Sequence, residues 1–136
     1  MIVVDTNLLV YLFVRGSRTG EAEAVVRRDG LWSAPWLWRS EFRSALLGLV
    51  RRGDLLLEQA VRLTDEAERW MEGREYTVPS AQVLSLAVES RCSAYDCEFV
   101  AVAHNLGTSL VTVDEQIQKA FPSVAVHPKT FAGRSR

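Results

Sequence analysis

At 136 residues and 15.3 kDa the chain has the size of one domain, long enough to bury about two-thirds of its unfolded surface around a single core. Hydrophobic residues make up 48% and charged residues 24%, which excludes the collagen-like, disordered and disulfide-scaffold classes. A net charge of -1 excludes a protein that holds nucleic acid by bulk electrostatics, so any such role has to be local.

Alternating strand and helix signals run the length of the chain. Ile2 to Val4 is a short β-branched run of the kind expected in a strand covered on both faces, and Asp5 ends it. Leu8, Leu9, Leu12 and Phe13 mark a short apolar helix, a turn-rich stretch from Arg15 to Gly20 follows, and Glu21 to Arg28 reads as a second helix. Leu31 to Ala34 is a brief second strand. Pro35 suits a first helical turn, and Trp38, Phe42, Ala45, Leu46 and Leu49 give helical spacing up to Gly53. A helix over Leu56 to Met71 precedes a third strand, Glu75 to Val78, closed by Pro79. Helices over Ala81 to Ser90 and Ala94 to Leu106 come next, the latter stopped by Gly107. Ser109 to Val113 is the fourth strand, Glu115 to Ala120 a short helix, and Val124 to Val126 the fifth strand. Residues 1–131 are expected to form one domain, and the small, basic tail 132–136 to fray. Neither an internal repeat nor a linker interrupts the pattern.

Strands joined by helical crossovers imply an α/β fold, a parallel sheet with helices on both faces. In such sheets ligands bind beyond the carboxyl ends of the strands, where strand order reverses. Asp5 and Asp114 stand immediately after the first and fourth strands, at that edge. Each could serve only as a helix N-cap. An acid following Ile-Val-Val or Leu-Val-Thr-Val is nevertheless half-buried by position, and a buried carboxylate raises its pKa or finds a cation. Glu41, at the margin of its helix's apolar stripe, and Asp96, in a first helical turn where acids are favoured anyway, could join them. Glu98, two residues beyond Asp96, is expected on roughly the opposite side of that helix, and Glu115 is read as a helix-start acid.

Four segments carry a family pattern: Val3-Val4-Asp5-Thr6-Asn7, Arg39-Ser40-Glu41-Phe42, Ser93-Ala94-Tyr95-Asp96-Cys97-Glu98-Phe99-Val100-Ala101-Val102-Ala103, and Leu110-Val111-Thr112-Val113-Asp114. In this order the chain resembles the PIN-domain ribonucleases of the bacterial toxin type, the VapC-like proteins, over residues 1 to about 131. The resemblance implies a three-layer α/β/α fold whose five-stranded parallel sheet runs in the order 3-2-1-4-5, bringing Asp5 next to Asp114. It implies that the family's four acids fall on Asp5, Glu41, Asp96 and Asp114. It also implies an RNA substrate, a small antitoxin that covers the site, and a homodimer.

Hard carboxylate oxygens without a nearby histidine select magnesium, with manganese as a substitute, over covalent or histidine acid-base chemistry. Asp5 and Asp96 are taken as direct metal ligands, with Glu41 and Asp114 completing the cage, orienting the attacking water or binding a second ion. Thr6, Asn7 and Thr112 supply short polar groups able to fix carboxylate rotamers. All basic residues but Lys119 and Lys129 are arginines, and Arg15, Arg18, Arg39 and Arg43 lie where RNA contacts would be useful, though each could be an ordinary solvated side chain. Trp32, Trp36 and Trp38 read mainly as core, with some surface left for a partner.

Two phosphoryl-transfer folds also place an aspartate after the first strand. A receiver domain needs an aspartate after the third strand, where this chain has Val78-Pro79, and a haloacid-dehalogenase-like phosphatase needs one at Asn7. A metal-free PIN scaffold is countered by the presence of all four acids. No P-loop or Rossmann glycine pattern is present. Cys92 and Cys97 lack C-x-x-C spacing and have only His104 and His127 beside them, so they read as buried or idle thiols. The chain opens without the basic start of a secretory signal, and its longest apolar run, Leu8 to Val14, falls well short of the ~20 residues of a membrane span. The expectation is a cytoplasmic protein away from the membrane.

Overall fold

A computed structural model describes residues 1–134. Its strands are β1 (Ile2–Val4), β2 (Trp32–Pro35), β3 (Glu75–Tyr76), β4 (Leu110–Val111) and β5 (Ala125–Val126). Its helices are α1 (Thr6–Phe13), α2 (Thr19–Arg28), α3 (Leu37–Arg51), α4 (Leu57–Met71), α5 (Ser80–Ser90), α6 (Ala94–Leu106), α7 (Glu115–Ala120) and α8 (Pro128–Ala132). The strands form one sheet in the order β3-β2-β1-β4-β5, and every neighbouring pair is parallel. Successive residues of a strand point to opposite faces, so the unbroken burial of β1, β2, β4 and β5 means that both faces are covered. β3, at the edge, is only half-buried.

Strand order decides where the acids go. β1 lies between β2 and β4, with Val3 beside Leu110 and Val4 beside Val111. One step further along, Asp5 donates its N–H to the Val111 carbonyl at 3.2 Å, which sets its side chain beside the end of β4. Against the sheet lies α6, in contact with β1, β2 and β4. Its Cys97 and Phe99–Ala103 are all buried, as expected of a helix apolar on nearly every side. Ser93 caps its start by accepting the Asp96 N–H at 3.0 Å, and Gly107 ends it with φ of 64°, a left-handed conformation that a Cβ would disfavour. Aromatic contacts tie α1, β2 and α4 together: Trp70 meets Phe13 at 5.8 Å and Trp32 at 5.2 Å, edge to face.

Two local expectations are corrected. Pro35 closes β2 instead of opening α3. The N–H groups of Ala34 and Trp36 on either side of it go to the Arg74 and Tyr76 carbonyls of the edge strand, so proline removes no bond from that ladder. The third and fourth strands are shorter than the apolar runs that announced them: the Thr112 N–H makes one more bond to the Val126 carbonyl at 3.0 Å before the chain turns into α7, and past Tyr76 the chain turns towards α5. A helix absent from the sequence reading, α8, packs against α2 and ends at Ala132, the first residue of the expected tail. His127 caps this helix through Nδ1, which accepts the Lys129 N–H at 3.1 Å, and the Arg28 guanidinium donates to the Arg134 carbonyl at 2.7 Å. Pro128 at the first helical position was the readable signal. Residues 135 and 136 of that expected tail lie outside the described residues.

Candidate active site

Asp5, Glu41, Asp96 and Asp114 line one crevice of about 140 Å³, together with Thr6, Asn7 and an apolar floor of Ala45, Phe99 and Ile117. Four separate elements contribute the acids: the β1–α1 junction, α3, the first turn of α6 and the β4–α7 junction.

Asp5 is the most deeply set, only 8% exposed. One carboxylate oxygen accepts the Leu8 N–H at 3.1 Å, capping α1. The other accepts the Thr112 hydroxyl at 2.5 Å and the Val113 N–H at 3.1 Å. An ionised carboxylate has about four acceptor positions. Three are occupied, which locks the rotamer and leaves one for a ligand from the crevice. Burial pushes the Asp5 pKa above its ordinary value, and the Asp114 charge adds to the rise against the opposing pull of those hydrogen bonds.

Thr112 joins the two strand-end acids. Its hydroxyl donates to Asp5 and accepts the Asp114 N–H at 3.0 Å, while Asp114 caps α7 by accepting the Ile117 N–H at 2.9 Å. Thr6 does the same service on the other side, donating to Glu41 at 2.7 Å. Among the described residues the Asn7 side chain makes no hydrogen bond, although it lines the crevice. Burial raises Glu41 above its ordinary pKa, helped by the charges of Asp96, Asp5 and Glu98, and burial followed by repulsion from Asp114 raises Asp96. Mutual elevation of this kind is what acids crowded without a counter-charge display.

Glu98 stays out of the crevice that Asp96 lines, as its spacing along α6 implies. It is half-buried beside Val78, Ser80 and Val83, burial raises its pKa, and its charge acts on Glu41. Spacing along α6 did not reveal this because the neighbouring surface comes from α3 and α5. Cys92 and Cys97 are both free and buried, as expected of idle thiols.

The arginines are sorted differently from the sequence expectation. Arg39 donates to Glu75 at 2.6 and 2.8 Å and to Glu68 at 2.9 Å, and its guanidinium lies 4.8 Å from the Trp36 ring centre. Glu75 is 1% exposed and also accepts the Trp38 indole N–H at 2.8 Å. Arg39 is therefore a clamp between α3, α4 and the edge strand, a correction of its reading as an RNA contact. Arg18 is held by Glu21 and the Tyr11 hydroxyl, Arg43 by Glu68 at 3.5 Å, and Arg15 by Glu23 at 3.8 Å in a loose, exposed pair. Substituting Arg39→Met is expected to cost about 3 kcal/mol, because it leaves the buried Glu75 carboxylate unpaired. Urea unfolding checks this, and the salt dependence of RNA binding in the same variant should not change.

The donor set fits a hard divalent cation: carboxylate oxygens converge on one crevice, one acceptor position of Asp5 is open, and each elevated acid gains from a neighbouring positive charge. Among the described residues no three such side chains stand close enough to form a ready cage, so the side chains would have to draw together around an ion.

A parallel sheet in this order with acids at the ends of β1 and β4 defines a carboxylate-site α/β domain. The PIN domain model matches residues 2–121, and the chain belongs to that family. It is similar to Ribonuclease VapC3 of Pyrobaculum aerophilum, 26% identical over 126 residues that cover 90% of this chain and 96% of that protein.

Proposed function

We propose that this PIN-domain protein is a metal-dependent endoribonuclease that hydrolyses RNA phosphodiester bonds and acts as the toxin of a toxin-antitoxin pair. The observation that carries the reading is the meeting of Asp5, Glu41, Asp96 and Asp114, from four separate elements, in one crevice. Asp5 and Asp96 hold the cation, magnesium or manganese, and Glu41 and Asp114 complete its surroundings or orient the attacking water. When bound, the ion supplies charge neutralisation at the scissile phosphate and a water that loses its proton more easily. Thr6 and Thr112 hold the carboxylates in place before substrate arrives, which lowers the reorganisation needed for reaction. The apolar floor of Ala45, Phe99 and Ile117 keeps bulk water from the rear of the site.

Similarity to a protein named Ribonuclease VapC3 supports the toxin assignment and with it a small antitoxin partner, and the reading includes a homodimer. An apolar groove of about 560 Å³ between α3 and α4, with Leu47, Leu57 and Val61 exposed along it, supports a protein partner that lays a helix there. Among the described residues no helix is long and apolar enough to cross a membrane. An RNA substrate goes with a cytoplasmic site of action in this reading.

Induced expression in a bacterial host tests the reading. Wild type is expected to arrest growth, Asp96→Asn is not, and co-expression of the short gene beside this one should restore growth. Equal toxicity of wild type and Asp96→Asn would reject a catalytic toxin. Absence of toxicity together with absence of RNA cleavage would favour a silent scaffold.

A further inference from the structure

Asn7 is the second residue of α1, two positions beyond Asp5, and it is exposed where it lines the acidic crevice. Its place in the sequence suggests a group that fixes a carboxylate, yet the structure gives that work to others. Asp5 accepts from Leu8, Thr112 and Val113, and Glu41 accepts from Thr6, so neither draws on the Asn7 amide. Among the described residues the Asn7 side chain is bonded to nothing, although an asparagine amide carries two N–H donors. The crevice is otherwise poor in donors. Its four acids offer only acceptors when ionised, the Thr6 hydroxyl has given its one proton to Glu41, and the floor of Ala45, Phe99 and Ile117 has no polar side chain. Asn7 is therefore, among the described residues, the one lining side chain with a donor to spare.

We propose that Asn7 is a further catalytic residue, whose amide N–H donates to a non-bridging oxygen of the scissile RNA phosphate. A phosphodiester presents the opposite chemistry to the amide: its two non-bridging oxygens share a negative charge and only accept. The surrounding carboxylates repel that group, and Asn7 attracts it. Being neutral, the amide does so without pairing with the acids that have to hold a cation, as a guanidinium in the same place would. It also stands on the first turn of a helix whose start is locked by the Asp5 cap, so the donor is in position before the water attacks and costs no rearrangement during reaction. The inference rests on the ribonuclease reading.

The test compares wild type with Asn7→Ala and Asn7→Asp on a short RNA with magnesium present. Asn7→Ala should lower kcat about a hundredfold with little change in KM, the pattern of an interaction that counts mainly in the transition state. Its Tm should be unchanged or higher, because no hydrogen bond is lost and alanine is the better helix former. The rise in Tm on adding magnesium should persist, which separates a phosphate donor from a metal ligand. Asn7→Asp keeps the shape, removes the donor and adds a fifth negative charge, so it should cut no faster than Asn7→Ala. RNA with sulfur in place of one non-bridging oxygen at the cut bond gives the specific readout. For one of the two diastereomers wild type should slow about tenfold without recovery in manganese, because sulfur is the poorer hydrogen-bond acceptor. Asn7→Ala should cut that RNA and the all-oxygen RNA at equal rates. If wild type cuts RNA and Asn7→Ala cuts as fast, keeps the full sulfur penalty or loses the magnesium rise in Tm, the phosphate contact is overturned and the nuclease reading stands. Wild type that cuts no RNA overturns both.

Discussion

Glu41→Gln is expected to lower RNA cleavage by about three orders of magnitude or more, while the protein melts at a higher temperature than wild type in metal-free buffer. Glutamine can still accept the Thr6 hydroxyl, so the one hydrogen bond made by Glu41 survives. What disappears is a charge that burial and the neighbouring Asp96, Asp5 and Glu98 all disfavour. Asp96→Asn should behave alike. Asp5→Asn should lose activity equally without the gain in Tm. Its two carboxylate oxygens accept backbone N–H groups from Leu8 and Val113, and an amide presents only one acceptor oxygen, so one of those bonds is lost at a cost of about 1 kcal/mol. The capping bonds of Asp5 set it apart from the other two acids.

The same crowding sets the sign of the pH dependence. Burial and mutual repulsion hold the folded-state pKa values of Asp5, Glu41 and Asp96 above the ordinary carboxylate values. The folded state binds their protons more tightly than the unfolded state, so their stabilising contribution is complete below the unfolded values and is lost as pH rises through the folded ones. Metal-free wild type should therefore lose Tm over that interval more steeply than Glu41→Gln, as melting curves across pH will show. An identical slope for the two proteins would mean that Glu41 is not under the strain described.

Removal of divalent metal is the second change of large effect. In excess chelator RNA cleavage should fall to background, and magnesium or manganese should restore it. Calcium should bind yet support little turnover, because it is larger and accepts looser coordination. Zinc should not be required, since the crevice offers carboxylates and no thiolate or imidazole ligand. Metal should also raise Tm, because an ion that binds the folded crevice and offsets its repulsion stabilises that state. Full cleavage in chelator would end the metal mechanism, and an unchanged Tm on adding magnesium would show that the four acids do not gather around an ion.

Much of this protein was legible in local sequence. β1, α6 and α7 were read to the residue, because each is bounded by an unambiguous signal: Asp5 after a β-branched run, Ser93 and Gly107 around an apolar helix, Asp114 before a short one. The four acids were legible for the same reason, since each occupies a strand end or a helix turn whose position sequence determines, and their common family pattern supplied the strand order. Tertiary structure alone decided what those side chains touch. Arg15 and Arg39 are indistinguishable as residues, yet the edge strand brings the Glu75 carboxylate to the second, while the first lies exposed after α1 with only a loose pair to Glu23. The packing of α3 likewise decides that the Glu98 charge acts on Glu41. Hydrogen-bond and ion-pair partners lie across gaps of tens of residues that periodicity does not span: Thr112 reaches Asp5 over 107 positions. Local propensity chooses the elements, and the packing of those elements against one sheet chooses which charges meet.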